Sequence, residues 1–320
     1  MEPFDFIVGK GRSGTTLVRA MLTSHPRMAI PPETHFIVPL ADDKRIVGAS
    51  GEVSVNALVG RLAKNPGFRR MELTADEVRE ALRRAGTSDY AQAVRAIFAL
   101  YARKASKDRY GDKSPGQVLH IERLAGMFPE ASFIHVIRDG RNVLLSGLET
   151  SFGPMDVFET AVVWRRLVLE GLRAGRLLGE KRYCEVRYED LIGDPEGEIK
   201  RLSAFAGLEY DASMLRYFEH AEDLGVDAFN HRNINRPPTA GLRDWRRDMT
   251  PRQLAIFESL AGDTLSDLGY ARAGIRMGVR DKAHLSAMWL SFQSRRTRWR
   301  FKHGTSKARA RSRVPFETRA

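Results

Sequence analysis

Residues 9–16 read GKGRSGTT, and their glycines, hydroxyls and arginine have a spacing suited to binding phosphate. Gly9 and Gly14 match the glycines of the P-loop pattern G-x-x-x-x-G-K-[ST], but Thr15 stands where that pattern has the lysine that reaches the β- and γ-phosphates. Arg12 lies inside the loop. Backbone N–H groups and a helix N-terminus bind anions without a metal ion. The loop therefore predicts a site for a nucleotide with a 5′-phosphate and no γ-phosphate.

The segments around this loop predict the elements that position it. Residues 4–8 (FDFIV) form a mostly apolar strand before it, and residues 17–22 (LVRAML) suit a helix after it. Further strands are predicted over 132–137 and 182–186, with a short one near Arg109. Helices are predicted over 53–63, 75–84, 90–106 and 117–128, from 142, over 157–178, from 195 to about 207 and over 251–260, with N-caps at Thr74, Asp194 and Thr250.

Strands that alternate with helices predict an α/β fold, a P-loop-type parallel sheet flanked by helices on both faces. Ligands of such sheets bind at the carboxyl ends of the strands. Residues 9–16 follow the first strand and so lie at that edge. Arg138 follows the strand 132–137 and lies there too.

Arg138 and Ser146 form a second candidate anion site. Ser146 lies eight residues after Arg138, in the second turn of the following helix, so a guanidinium and a hydroxyl can converge on one anion. Alone, Arg138 could equally pair with an acid while Ser146 faces solvent. Coupled to the loop at 9–16, the pair favours a nucleotide site that binds two anionic groups.

These motifs together resemble those of the sulfotransferases that use 3′-phosphoadenosine 5′-phosphosulfate (PAPS). Residues 11–16 (GRSGTT) are similar to the family's P-[KR]-S-G-T-T, with Gly in place of Pro. The spacing of Arg138 and Ser146 agrees with the family's 3′-phosphate site, although Gly140 and Asn142 depart from its R-D-P-R-D pattern. Residues 187–191 (RYEDL) closely resemble a further segment of the family.

The resemblance implies PAPS as the cofactor and a set of residues that contact it. A late segment, residues 239–245, resembles the family's G-x-W loop, but Gly241 and Trp245 are two residues further apart than in that pattern. We expect Trp245 to be a core residue. The implied cofactor contacts are Arg12, Ser13, Gly14, Thr15, Thr16, Arg138, Ser146, Tyr188, Gly241 and Arg243.

The resemblance also implies the residues that would transfer the sulfuryl group to an acceptor hydroxyl. Glu33, in the segment PPETH, is the expected base, and His35 is the rival because many cytosolic sulfotransferases use a histidine. If this stretch is extended, both side chains point to the same side, so spacing does not separate them. Lys113, in a segment similar to the family's D-K-[ST]-P, would stabilise charge with Arg12. No metal ion is expected.

Composition limits the location and the partners. The single cysteine, Cys184, excludes an intrachain disulfide, and we expect it to be a buried strand residue in a reducing compartment. No signal peptide and no membrane span are predicted, so we expect a cytoplasmic protein. The net charge of +12 is concentrated in residues 295–320, which hold ten Lys and Arg and one acid. This concentration gives no reason to expect specific nucleic-acid binding.

The chain is predicted to divide into a nucleotide-binding catalytic domain, residues 1–275, and a basic C-terminal helix and tail, residues 276–320. Apolar residues recur at helical spacing in the tail, at Leu285, Met288, Trp289, Phe292 and Trp299. Such a helix would lie on an anionic membrane surface or dock on the body of the protein.

Three functions compete at this stage. A PAPS-dependent sulfotransferase is favoured, acting on a carbohydrate, lipid or small molecule. The alternative is a P-loop kinase or NTPase-like phosphotransferase, which Thr15 and the lack of a clear Mg²⁺-binding acid argue against. A non-catalytic binder that uses only its tail would not require Arg138, Ser146 or Lys113.

Overall fold

A computed structural model describes residues 3–150, 156–225, 233–239, 241–278, 281–282, 285–290 and 294. Its centre is a five-stranded sheet in which every pairing is parallel and the strand order is β2-β3-β1-β4-β5. The strands are β1 (Phe4–Gly9), β2 (Met28–Ala29), β3 (Arg109–Lys113), β4 (Ser132–Ile137) and β5 (Tyr183–Arg187).

Helices connect and cover the strands. Two 3₁₀ segments, Pro115–His120 and Ala212–Leu224, accompany them, and residues 285–290 are also helical. The α-helices are α1 (Thr15–Thr23), α2 (Ile37–Ala41), α3 (Val55–Leu62), α4 (Pro66–Arg69), α5 (Ala75–Arg84), α6 (Tyr90–Lys104), α7 (Ile121–Met127), α8 (Gly140–Leu148), α9 (Val157–Leu178), α10 (Tyr188–Gly193), α11 (Pro195–Phe205), α12 (Trp245–Asp248) and α13 (Pro251–Asp267).

Successive side chains of each strand point to opposite faces of the sheet, and helices cover both faces, so both are buried. Phe4, Phe6 and Val8 of β1 join a core formed with α3, α5, α6, α7 and α9. Ile7 joins the opposite core, formed with α1, α11 and the second 3₁₀ segment. A third cluster packs α8 and α9 against α12 and α13. The predicted α/β fold, with helices on both faces, is confirmed.

Most predicted elements are confirmed, some with shifted ends. Strand 132–137 and helices 75–84 and 157–178 have the predicted bounds. The helix predicted from 53 begins at Val55, because Val53 pairs with Val47 in an antiparallel bridge and Ser54 caps the helix. The helix predicted from 142 begins at Gly140, where Asp139 is the N-cap.

The continuous helix predicted over 117–128 is wrong. Pro115 begins a 3₁₀ segment that ends at His120, whose backbone (φ −126°) leaves the helical region, and α7 starts only afterwards. An apolar pattern at helical spacing does not separate a 3₁₀ turn from an α-helix over so short a stretch. The helix predicted to end at 260 instead continues to Asp267.

Candidate active site

The loop between β1 and α1 is shaped to present backbone N–H groups. Gly14 has φ 103° and is the N-cap of α1, which has no side-chain cap. A Cβ at Gly14 would lie 2.4 Å from the Tyr188 ring, so only glycine fits between the loop and that ring. Arg12, with φ 75°, is a non-glycine residue in the left-handed region, a strain that is common at functional sites. Thr15 and Thr16 open the helix and are buried.

Arg12, Arg138 and Ser146 meet at one cleft, as the sequence predicts. The Arg12 Nε donates to Ser146 Oγ over 3.1 Å, and the Arg138 Nη1 donates to the Arg12 carbonyl over 3.4 Å. The Arg138 guanidinium lies 4.1 Å from the centre of the Tyr188 ring, a cation–π contact. Burial lowers the pKa of Arg12, and the nearby Arg243 and Arg138 lower it further.

The cleft lies at the carboxyl ends of β1, β4 and β5. A separate wall comes from the segment that follows the second 3₁₀ region. The described residues that line the whole cleft are Arg12, Gly14, Thr15, Thr16, Leu17, Arg138, Ser146, Glu149, Tyr188, Ile192, Tyr217, Asn233, Ile234, Pro237, Pro238, Thr239, Leu242 and Arg243.

Lys113 and Glu33 lie beside this cleft and contact each other. Lys113 ends β3 and is buried, and its Nζ is 2.6 Å from Glu33 Oε1 and 3.3 Å from Thr16 Oγ1. His35 Nε2 is 2.8 Å from the other carboxylate oxygen, Glu33 Oε2. The expected base, its rival and the expected charge stabiliser therefore form one hydrogen-bonded group that reaches Thr16. We call residues 9–16 the phosphate loop, after the ligand that the sequence predicts for it.

Burial and the neighbouring charged groups shift the pKa values of Glu33 and Lys113 in opposite directions. Burial alone would raise the pKa of Glu33, but hydrogen bonds from His35 and Lys113 outweigh it and lower the pKa to about 2. Burial lowers the pKa of Lys113, and Glu33 opposes that change. Glu33 is thus a carboxylate at neutral pH, and it is the counter-charge of a buried ammonium.

A second layer of contacts fixes the segment that carries Glu33. The Thr34 Oγ1 donates to Asp112 Oδ1 over 2.6 Å, and both residues are fully buried. This bond joins the neighbours of Glu33 and Lys113. A Cβ at Gly67, in α4, would lie 2.5 Å or less from the carbonyl oxygens of Glu33 and Thr34, so α4 packs directly on this backbone.

Arg138 is positioned by groups that the motif alone did not indicate. Its carbonyl accepts a 2.9 Å bond from the indole Nε1 of Trp164, in α9. Asp139 pairs with the fully buried Arg141, which also pairs with Glu258 of α13. The helices of the third core cluster therefore fix the end of β4.

The late segment contributes one of its two predicted residues to the cleft. Arg243 lines it and pairs with Glu149 through two hydrogen bonds of 3.0 and 2.5 Å. Gly241 (φ 74°) is exposed and lies outside the cleft lining. Trp245 is buried, as expected, with the Arg141 guanidinium 3.5 Å from its ring centre. Glu149 was not predicted, although it lies three residues after Ser146.

Two orphaned polar atoms test whether the cleft suits a nucleotide with two anionic ends. Ser13 Oγ and Arg138 Nε are buried and have no hydrogen-bond partner among the described residues. A ligand in the cleft would satisfy Arg138 Nε, whereas other buried atoms without partners, such as Thr160 Oγ1, lie away from the cleft. Arg138 lines the cleft with Ser146, whereas Ser13, a predicted cofactor contact, is buried before α1 and is not among the described residues that line it. The residues present fit such a nucleotide.

Comparison with known proteins agrees with this geometry. The model of the sulfotransferase family matches residues 3–212. The nodulation protein NoeE of Sinorhizobium fredii is 27% identical, over 84% of this chain and 66% of its own length. Protein-tyrosine sulfotransferase A of Caenorhabditis elegans is 26% identical, over 71% of this chain and 54% of its own. The chain thus spans less than two thirds of the length of either relative.

A solved structure supports the same relationship. The sulfotransferase domain from the Synechococcus PCC 7002 olefin synthase superposes with a TM-score of 0.54 at 27% identity, covering 81% of this chain and 94% of that domain. The parallel sheet and the solved structure that superposes on it define an α/β fold of the P-loop type. The chain belongs to the sulfotransferase family.

Proposed function

We propose that this protein transfers a sulfuryl group from PAPS to the hydroxyl of a carbohydrate, lipid or small-molecule acceptor. The observation that carries the proposal is the contact of Lys113 with both Glu33 and Thr16, which joins a candidate base to the phosphate loop. The Arg138–Ser146 side of the cleft supports it, because it adds a second anion site.

Each residue has a separate task in this proposal. Thr15, Thr16 and the backbone of residues 12–16 bind the 5′-phosphate at the start of α1. Ser146, Arg138 and Arg243 bind the 3′-phosphate. Tyr188 packs on Gly14 and Arg138 and limits the space for the base of the nucleotide.

Transfer of the sulfuryl group requires a base and a group that stabilises the developing negative charge. When bound, PAPS supplies a sulfuryl group whose bond to the phosphate oxygen breaks as the acceptor oxygen bonds to sulfur. The carboxylate of Glu33 accepts the proton of the acceptor hydroxyl. Lys113 and Arg12 hold positive charge beside the phosphate loop, where negative charge develops. We propose Glu33 as the base because it also contacts Lys113, which reaches the phosphate loop. His35, 2.8 Å from the other carboxylate oxygen, orients Glu33.

Calorimetric titration with adenosine 3′,5′-bisphosphate, and separately with ATP and Mg²⁺, tests the proposal. We expect the bisphosphate to bind and ATP with Mg²⁺ not to bind. Preference for ATP with Mg²⁺ would instead indicate a P-loop phosphotransferase. Glu33→Gln should reduce kcat by about 10²–10⁴-fold, the usual contribution of a general base, while the bisphosphate affinity stays near that of the wild type. If His35→Gln has the larger effect on kcat, His35 is the base.

We also propose that residues 1–275 form the catalytic domain and that the basic tail contacts anionic membrane surfaces from the cytoplasmic side. Among the described residues, no helix is long and apolar enough to cross a bilayer. Residues 285–290 are helical, and the side chains of Trp289 and Leu290 are exposed. Phe292, Trp299 and the arginines near them lie outside the described residues. Ten basic residues after position 294 would supply the attraction to anionic lipid.

A further inference from the structure

Glu149 places a negative charge in the wall of a cleft that otherwise suits anions. It lies three residues after Ser146, so both side chains face the same side at the end of α8. Its carboxylate accepts two hydrogen bonds from the guanidinium of Arg243, one to each oxygen. Two-pronged pairing of this kind is the geometry that a guanidinium also offers to a phosphate group.

Among the described residues, the guanidinium groups of Arg12, Arg138 and Arg243 line this cleft. They repel one another, since Arg243 and Arg138 both lower the pKa of Arg12, and Glu149 acts in the opposite direction. Glu149 therefore compensates the cationic cluster. Its carboxylate is negatively charged, as the expected phosphate is, and it accepts hydrogen bonds from Arg243 Nε and Nη2, two donors that a phosphate could also use.

The two partners differ in their access to water. The side chain of Arg243 is 14% exposed, whereas that of Glu149 is 52% exposed. If a phosphate takes the donors of Arg243, Glu149 is already half hydrated and its carboxylate becomes solvated at small cost. Arg243 keeps an anionic partner in both states.

We propose that Glu149 competes with the 3′-phosphate of the nucleotide for Arg243 and thereby weakens the hold of the cleft on the desulfated product. The inference rests on the proposed function, because the ligand is a 3′-phosphorylated nucleotide. Three arginines without a competing acid would retain such a product strongly, and release of product limits turnover in many enzymes. Glu149 sets the affinity at a lower level.

Calorimetry with adenosine 3′,5′-bisphosphate and with AMP, which lacks the 3′-phosphate, tests this competition. Glu149→Gln should tighten bisphosphate binding by about two- to fivefold, the size that an exposed ion pair implies. AMP binding should change less. Arg243→Gln should weaken bisphosphate binding, and adding Glu149→Gln to it should give no further gain. Glu180→Gln is the matched control, since Glu180 is exposed and precedes the amino end of β5, away from the carboxyl ends where the cleft lies.

Distinct results overturn distinct claims. Weaker bisphosphate binding by Glu149→Gln would make Glu149 a residue that orients Arg243 toward the phosphate. Equal tightening for AMP and the bisphosphate, or a gain that persists beside Arg243→Gln, would reduce its effect to general repulsion. Each of these refutes the competition while leaving the proposed function intact. A wild-type protein that binds ATP with Mg²⁺ and not the bisphosphate would remove both.

Discussion

Lys113 and Glu33 are each stabilised in the charged form by the other. The lysine ends a central strand and is buried, so its ammonium needs a counter-charge, and Glu33 supplies it at 2.6 Å. His35 takes the second carboxylate oxygen, and it does so from a left-handed backbone conformation (φ 52°) that non-glycine residues rarely adopt. The arrangement keeps the proposed base ionised and oriented before any ligand binds.

This arrangement makes the contribution of Glu33 to stability dependent on pH. Its pKa in the folded protein, about 2, is below the ordinary value of 4.5, so its stabilising effect is complete above pH 4.5 and is lost as the pH falls toward 2. At pH 7, Glu33→Gln should lower the free energy of unfolding by about 1–3 kcal/mol, less than for a fully buried pair because the Glu33 side chain is 31% exposed. The difference from the wild type should shrink below pH 4.5.

Urea unfolding at several pH values between 3 and 7 measures this difference. Glu180→Gln removes an exposed glutamate at the opposite edge of the sheet and should follow the wild type throughout. A difference between the wild type and Glu33→Gln that stays constant or grows as the pH falls would show that Glu33 is not held in the charged form by its partners.

At the scale of elements, the phosphate loop and α10 are fitted to each other. The loop places Gly14 against Tyr188, the first residue of α10, and Tyr188 in turn packs on Arg138, which follows β4. One aromatic ring therefore contacts both of the predicted anion-binding segments. A change in the loop should reach the far side of the cleft through that ring.

Gly14→Ala should weaken binding of adenosine 3′,5′-bisphosphate by at least about tenfold, because the new Cβ would lie 2.4 Å from the Tyr188 ring and the backbone has φ 103°. Gly11→Ala is a control in the same loop, since a Cβ there meets nothing within 4 Å. Calorimetry on both variants measures the effect, and circular dichroism checks that each is folded. Equal affinity in the two variants would contradict the fit described here.

Local signals explain which elements the sequence could predict. The helix 75–84 has a complete capping box between Thr74 and Glu77, and Asp156 and Gly179 bound the helix 157–178, so their ends are defined by nearby residues. The boundary between the 3₁₀ segment and α7 has no comparable signal, because His120 makes no side-chain cap and the apolar pattern continues through it.

The site shows the same division between local and distant contacts. Spacing indicated that Arg138 and Ser146 could converge, and the resemblance added Arg12 to the same nucleotide site; the structure brings the three together. Glu149 was missed because its partner Arg243 is 94 residues away in the chain. Its position three residues after Ser146 was the available signal. The exposure of Gly241 depends on the path of a loop that no periodic pattern describes.

At the scale of the whole molecule, most of the excess positive charge lies in the segment that follows the folded body. The ten basic residues after position 294 follow a folded body whose last helix of the third core cluster ends at Asp267. The proposed catalytic groups, Glu33, Lys113 and Arg12, come from the sheet edge and the loops beside it. We therefore expect the tail to affect where the protein acts and to leave nucleotide binding unchanged.

Truncation after Arg280 tests this expectation. Sedimentation with vesicles of phosphatidylcholine and 30% phosphatidylglycerol, about that proportion being enough to give a negative surface potential, should capture the full chain and lose most of the truncated one. Both forms should bind adenosine 3′,5′-bisphosphate with the same affinity. If the truncated form sediments equally, the tail does not bind membranes, and reduced nucleotide affinity would indicate that it docks on the body.

The strand order also sets the lateral distance between the backbones that carry two cationic residues. Lys113 ends β3 and Arg138 follows β4, and β1 lies between these two strands. Neighbouring strands are about 4.8 Å apart, so the backbones that carry the two cations are separated laterally by about 10 Å. Hydrogen bonds of the sheet fix this interval, and loop sequence does not alter it. A ligand held between Lys113 and Arg138 would therefore lie over the end of β1, where the loop of residues 9–16 begins.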